Sequence, residues 1–233
     1  MGESLKGQVA IVTGASGALG TSVVISLLAE GATVAGIDRS GANAATGNQP
    51  IRRYAANLTD PQDGRHVIAS IAAELGRIDI LVHVMGGFAG GAPIAETDDA
   101  TWDKMLDVNL KAAFYVLRAV VPVMRAAGHG RIIAIGSRQA VHPAANVGAY
   151  SASKAALVSL VQTVALENKD KNIRANVILP GTMDTAANRA AMPKANFAKW
   201  VKTGNVAELV VMLASDVGSE ITGAAIPIYG AEG

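Results

Sequence analysis

The chain has 233 residues, of which half are hydrophobic, 17% are charged and only 4% are aromatic, and its formal net charge is +1. This suits one α/β domain, residues 1–233, with a large core packed from aliphatic side chains. The even charge balance excludes an electrostatic footprint for nucleic acid, the lack of cysteine excludes disulfides and thiolate metal sites, and four scattered histidines without ligand spacing argue against a bound metal.

No apolar run reaches the ~18 residues of a membrane span. Met1–Lys6 leads straight into a strand-like segment with no charged start and apolar middle. The expected location is therefore the cytoplasm, with no membrane partner.

The first β-branched run, 8–13, predicts a strand. It ends in Thr13-Gly14-Ala15-Ser16-Gly17-Ala18-Leu19-Gly20, and a helix is predicted over 18–30. Glycines there allow a sharp turn and close approach to a diphosphate, to which the helix N-terminus offers backbone N–H groups. An ordinary strand-to-helix turn can carry the same residues, so the flanking elements bear the argument. A second strand at 32–37 is followed by Asp38, whose carboxylate can accept from both adenosine-ribose hydroxyls and would repel a 2′-phosphate. NAD(H) is expected over NADP(H), although Arg39 next to it could pair with a 2′-phosphate.

The stretch 39–50 reads as a loop, 51–55 as a strand, 61–76 as a helix and 78–84 as a strand. A glycine-rich loop over 85–97 holds Gly86 and Gly87, whose lack of side chains implies close passage of the backbone by a cofactor. One helix is predicted over 98–127, a strand over 131–136 with Ser137 at its end, and a long helix over 148–169. A strand at 173–179, a loop at 180–203 with a short helix near 188–200, a helix at 205–214 and a strand at 224–229 complete the chain. Strands alternating with helices predict a doubly wound parallel sheet with helices on both faces. Ligands would then bind along the edge where the strands' carboxyl ends lie.

Tyr150 and Lys154 share one face of the long helix, so phenol and ammonium can meet. A neighbouring ammonium favours phenolate, and a phenol near its unperturbed ~10 is a poor base at neutral pH. Ser137 can hydrogen-bond a substrate oxygen from the opposite side. A half-exposed Tyr/Lys helical pair with no chemistry is the plain alternative, weakened by its place after the fifth strand.

These residues bring the chain into resemblance with the short-chain dehydrogenase/reductases, over essentially its whole length. The marks are the Thr13–Gly20 turn, Asp38, Asn109 in Asp107-Val108-Asn109-Leu110, Ser137, Tyr150-x-x-x-Lys154, and Ile173-Arg174-Ala175-Asn176 leading to Pro180-Gly181. The resemblance implies a Rossmann-type fold and NAD(P)-dependent hydride transfer between nicotinamide and a carbonyl or secondary alcohol. It makes Tyr150 the general acid or base, has Lys154 lower the phenol's pKa and hold the nicotinamide ribose, and has Ser137 orient the substrate oxygen. Asn109 would hold a water, and Thr182, Met183 and Thr185 would meet the carboxamide. It also implies a homodimer or homotetramer through helices 98–127 and 148–169. Without it, Asn109 and Thr185 read as helix-interior and capping residues.

Three departures stand out. Ala18 replaces a common glycine, and would be strained if its φ were positive. Asn57-Leu58 replaces an Asp-hydrophobic pair that reads adenine, although an amide oxygen can accept the same amine. His83-Val84-Met85-Gly86 replaces Asn-Asn-Ala-Gly, and His83 reads as a packed, hydrogen-bonded residue rather than a catalyst. Gly86–Gly91, Asp184-Thr185, Asn188-Arg189, Met192-Pro193 and Phe197…Trp200 are similar to the dihydropteridine reductase branch. One alternative is accordingly NADH-dependent reduction of a quinonoid pterin, and another is a non-catalytic dinucleotide-binding redox sensor or scaffold. Phe88, Met192, Phe197 and Trp200 could line an aromatic substrate's pocket or simply pack beneath a loop.

Overall fold

Short β-branched runs separated by longer Ala- and Leu-rich stretches can bury their apolar surface by pairing in parallel and covering the sheet with crossover helices. A computed structural model describes residues 3–40 and 51–232 and shows this arrangement. The strands and helices in chain order are β1 (Val9–Thr13), α1 (Ala18–Ala29), β2 (Thr33–Asp38), β3 (Arg52–Ala55), α2 (Pro61–Leu75) and β4 (Ile80–His83). Next come α3 (Asp99–Leu106), α4 (Ala112–Ala127), β5 (Gly130–Ile135), α5 (Gly148–Glu167) and β6 (Ile173–Pro180). The last are β7 (Met183–Asp184), α6 (Ala186–Ala191), β8 (Val201–Lys202), α7 (Thr203–Ala214) and β9 (Ala225–Ile228).

Seven strands form one sheet in the order β3-β2-β1-β4-β5-β6-β9, every pair parallel. Because side chains alternate across a strand, each strand feeds two cores. Ile11, Leu81, Ile132 and Ala175 face one core with Ile68, Val116 and Leu157 from α2, α4 and α5. Val12, Val82, Ile133 and Ile178 face the other with Val23, Leu27, Val206 and Val210 from α1 and α7. Burial on both faces explains why the strands read as unbroken apolar runs rather than alternating ones.

The predicted elements are found with shifted ends, and one is divided. The helix expected over 98–127 is α3 and α4 joined by a π-helical turn at Asp107–Lys111. Such a turn adds a residue without disturbing apolar spacing enough to be read from sequence. The predicted loop 180–203 contains α6, where Thr185 Oγ1 caps by accepting from the Asn188 N–H at 3.2 Å, and the small β7–β8 pair. Residues 41–50 of the loop read over 39–50 lie outside the described residues. Among the described residues, no helix is long and apolar enough to cross a membrane.

The edge of the sheet opposite the carboxyl ends is held by one carboxylate. Asp79 is 1% exposed, accepts the Val9 N–H at 2.8 Å, takes both forks of Arg77 at 2.7 Å, and is bonded by His129. It ties β1 to the entry of β4 and to the turn before β5. Replacing Asp79 with Ala leaves a buried N–H, a guanidinium and an imidazole unmatched, an expected loss of about 2 kcal/mol, moderated because Arg77 is half exposed. In urea denaturation the midpoint should fall by roughly 1 M; an unchanged midpoint would show that the clasp contributes nothing.

Candidate active site

Sheet order reverses between β1 and β4, where consecutive chain segments leave in opposite directions, and the cleft opens at this switch point. The turn after β1 is possible because Gly14 takes a φ of +65° and donates its N–H to the Ile37 carbonyl at 2.8 Å. α1 packs so tightly on this turn that a Cβ on Gly20 would sit 2.0 Å from the Gly14 carbonyl oxygen. Its N-cap, Gly17, supplies no side-chain bond, and its first turn holds no acidic residue. Backbone donors at that end are thus unclaimed by side chains and fit the diphosphate of a dinucleotide. Ala18 has no positive φ, so its replacement of glycine carries no backbone strain.

Asp38 at the end of β2 accepts the Ser16 N–H at 2.9 Å, which places its carboxylate beside the glycine turn. Arg39 is exposed. Asn57 uses its side-chain oxygen locally, accepting from Thr59 Oγ1 at 2.8 Å and Thr59 N–H at 3.3 Å, so that oxygen is already committed. Leu58 is 2% exposed and belongs to the core. Both nevertheless border a side recess of the cleft with Gly14, Asp38, Arg39 and Met85.

The end of β4 is wired to the turn through Thr13. Its Oγ1 bonds His83 Nδ1 at 3.1 Å and accepts the Met85 N–H at 3.2 Å. Burial, with the Lys154 charge second, holds the His83 pKa down at about 3, so the ring is neutral and structural. The chain then passes Gly86, where a Cβ would lie 2.8 Å from Asn109 Oδ1 and 3.1 Å from Lys154 Nζ. Asn109, fully buried in the π-helical turn, accepts the Gly87 N–H at 2.9 Å and donates to the Gly87 carbonyl at 3.0 Å and to Ser153 Oγ at 3.0 Å. Asn109 therefore clamps the glycine loop against α5.

Lys154 is 4% exposed and donates to the Ile135 carbonyl at the end of β5 at 2.8 Å. Burial lowers its pKa to about 8. Burial, the larger effect, raises the pKa of the Tyr150 phenol, while a hydrogen bond from Ser137 lowers it. The expectation that Lys154 depresses the phenol's pKa is therefore not met here: desolvation outweighs the other influences on Tyr150. Phe88 packs edge-on against Tyr150 with ring centres 5.0 Å apart.

These groups line one cleft of about 500 Å³, with Gly14, Ser16–Gly20, Asp38, Gly86, Gly87, Tyr150, Lys154, Met183 and Thr185 on its wall. Ser137 and Asn109 stand behind that wall, reaching it through Tyr150 and Gly87. Pro180, Gly181 and Thr182 are not on it: Gly181 donates to the Ile228 carbonyl at 2.9 Å, and the Thr182 carbonyl accepts from the Val201 N–H at 2.9 Å. Asn188 is on the wall and was not among the expected cofactor residues. Its position one helical turn beyond Thr185 was the available signal. Phe197 and Trp200 pack on each other with ring centres 4.8 Å apart, while Phe88 packs on Tyr150 and lines the cleft.

The described atoms fit a dinucleotide: an uncapped helix N-terminus, a glycine-lined passage, and an ammonium at its inner end. A family model described as short chain dehydrogenase matches residues 8–196. The 3-oxoacyl-(acyl-carrier-protein) reductase of Thermotoga maritima is 31% identical over 241 residues, covering 97% of this chain and 98% of that protein. The reductase of the same name from Escherichia coli K12 is 32% identical over 243 residues, with 97% and 98% covered. A crystal structure of NAD+-bound xylitol dehydrogenase matches with a TM-score of 0.89 at 27% identity, covering 97% of this chain and 99% of that one. Cleft, fold and relatives agree, and the chain belongs to the short-chain dehydrogenase family of NAD(P)-dependent oxidoreductases.

Proposed function

We propose that residues 1–233 form a single catalytic domain that moves hydride between NAD(H) and a carbonyl or secondary alcohol, with Tyr150 as general acid in reduction and general base in oxidation. The observation that carries this reading is Tyr150 and the buried Lys154 ammonium together on the wall of the glycine-lined cleft. A bound nicotinamide would supply or accept the hydride.

The protein's own part is position and protons. Tyr150, its pKa raised by burial, is a protonated donor at neutral pH and can deliver its proton to a developing alkoxide. Ser137 holds the substrate oxygen from the other side. Lys154 keeps a positive charge near the phenol and bonds the nicotinamide ribose. Gly14, Ser16, Gly17, Ala18, Leu19 and Gly20 would cradle the diphosphate, and Gly86 and Gly87 would pass beneath the adjoining ribose. Met183 and Thr185 would meet the carboxamide, with Pro180, Gly181 and Thr182 setting the entry of that segment. Asp38, with one oxygen on the Ser16 N–H, leaves the other for the adenosine ribose, which favours NADH over NADPH. Arg39, Asn57 and Leu58 would border the adenine. The protein would act in the cytoplasm as a homodimer or homotetramer through the segment 98–127 and α5.

Tyr150→Phe is expected to lower kcat/KM by about 10³-fold while NADH affinity measured by calorimetry stays within a fewfold. Full activity in that variant removes Tyr150 from the chemistry. Asp38→Ala should weaken NADH and narrow the gap to NADPH in the same titrations; an unsubstituted protein that binds both equally overturns the selectivity. For reduction, kcat/KM should hold level at low pH and decline as pH rises through about 8, where Lys154 loses its charge. A profile that stays level beyond that range shows the ammonium contributes nothing.

A further inference from the structure

Ser137 has one hydroxyl proton, and in this structure the proton has an acceptor that is neither substrate nor Tyr150. Ser137 Oγ donates to Gln139 Oε1 at 2.5 Å. The Gln139 N–H donates back to Ser137 Oγ at 3.3 Å, in the 3-10 turn Arg138–Ala140 that Ser137 caps. Tyr150 is the competing claimant: a Ser137 proton turned toward the phenol oxygen lowers the phenol's pKa. The peptide N–H takes one lone pair of Oγ, and the hydroxyl proton lies toward the amide oxygen.

The Gln139 carboxamide thus presents an sp² C=O to Ser137, chemically the same kind of acceptor as a ketone. Ser137 cannot give one proton to both. A substrate oxygen that takes the Ser137 proton must displace Gln139 Oε1, and the displaced amide, half-buried and tethered two residues from Ser137, stays near that oxygen. Its NH₂ donates and its oxygen accepts, so it can bond either a hydroxyl or a carbonyl one atom along. A substrate with only hydrocarbon there leaves the amide without a replacement for its lost bond, and an unmatched half-buried polar group is unfavourable.

Resting on the oxidoreductase reading above, we propose that Gln139 is a specificity-determining residue. It occupies the place of the reacting oxygen in the free protein and selects substrates bearing a second oxygen on the neighbouring carbon, such as α-hydroxy ketones and vicinal diols.

The test compares matched pairs, acetoin with 2-butanone and 2-hydroxycyclohexanone with cyclohexanone, using NADH and NADPH. The unsubstituted enzyme should favour the hydroxylated member by at least about tenfold in kcat/KM, the worth of one good hydrogen bond. Gln139→Leu should reduce that preference about tenfold, mainly through a higher KM for the hydroxy ketone, and should raise kcat/KM for the plain ketone. Gln139→Asn should restore part of the preference. Equal changes for both members in Gln139→Leu overturn the proposal and leave the oxidoreductase reading standing.

A second measurement needs no substrate. Once Gln139 no longer takes the Ser137 proton, that proton can stabilise the Tyr150 phenolate. The Tyr150 ionisation, read by ultraviolet difference titration against Tyr150→Phe, should move to lower pH in Gln139→Leu. If no pair is turned over with either cofactor, the oxidoreductase reading is what suffers, and the titration alone decides whether Gln139 holds the Ser137 proton. An unmoved ionisation then overturns the proposal.

Discussion

A buried ammonium bonded to a strand-end carbonyl organises this molecule's functional edge. Lys154 has lost most contact with water, and its bond to the Ile135 carbonyl joins α5 to the end of β5. Position 86 beside it is crowded, because a Cβ there would press on both Nζ and Asn109 Oδ1 and one of them would have to shift. The loop after β4 is consequently held between Asn109 and Lys154, and the shape of the cleft follows from that confinement.

Two opposing consequences of burial meet at this point. Desolvation disfavours charge, which lowers the pKa of Lys154 and raises that of Tyr150. Both groups are thereby driven toward neutrality, so at neutral pH the phenol keeps its proton and the amine retains its charge with a narrower margin than an exposed lysine. His83 belongs to the same environment: its neutral ring holds Thr13, and Thr13 holds the Met85 N–H, so β1 and β4 reach the cleft in fixed relation. The imidazole that stands in place of the family's usual asparagine bonds the β1 threonine.

The two ends of the sheet are stabilised differently. At the lower edge Asp79 satisfies a peptide N–H, a guanidinium and an imidazole together, an arrangement suited to permanence. At the upper edge the donors of the α1 N-terminus and the carboxylate of Asp38 face an open cleft. Rigidity at one edge and open polar groups at the other follow from a parallel sheet whose carboxyl ends all lie on one side.

Strand and helix order, the glycine turn, Asp38 and the Tyr150–Lys154 pair were legible in the sequence because each depends on local spacing: a period of two or 3.6 residues, or an i,i+4 face. Tertiary structure alone decided four matters. The π-helical turn that buries Asn109 is invisible to apolar periodicity. The segment 180–182 turns away to bond Ile228 and Val201, because those partners are chosen by folding. The direction of the Tyr150 pKa shift depends on how much water the fold removes, which no spacing encodes. The Ser137–Gln139 contact is only two residues long, yet its meaning rests on Tyr150 arriving from another element to compete for the same proton. Local geometry is written in the order of residues; desolvation and competition for a shared proton exist only once distant segments are packed together.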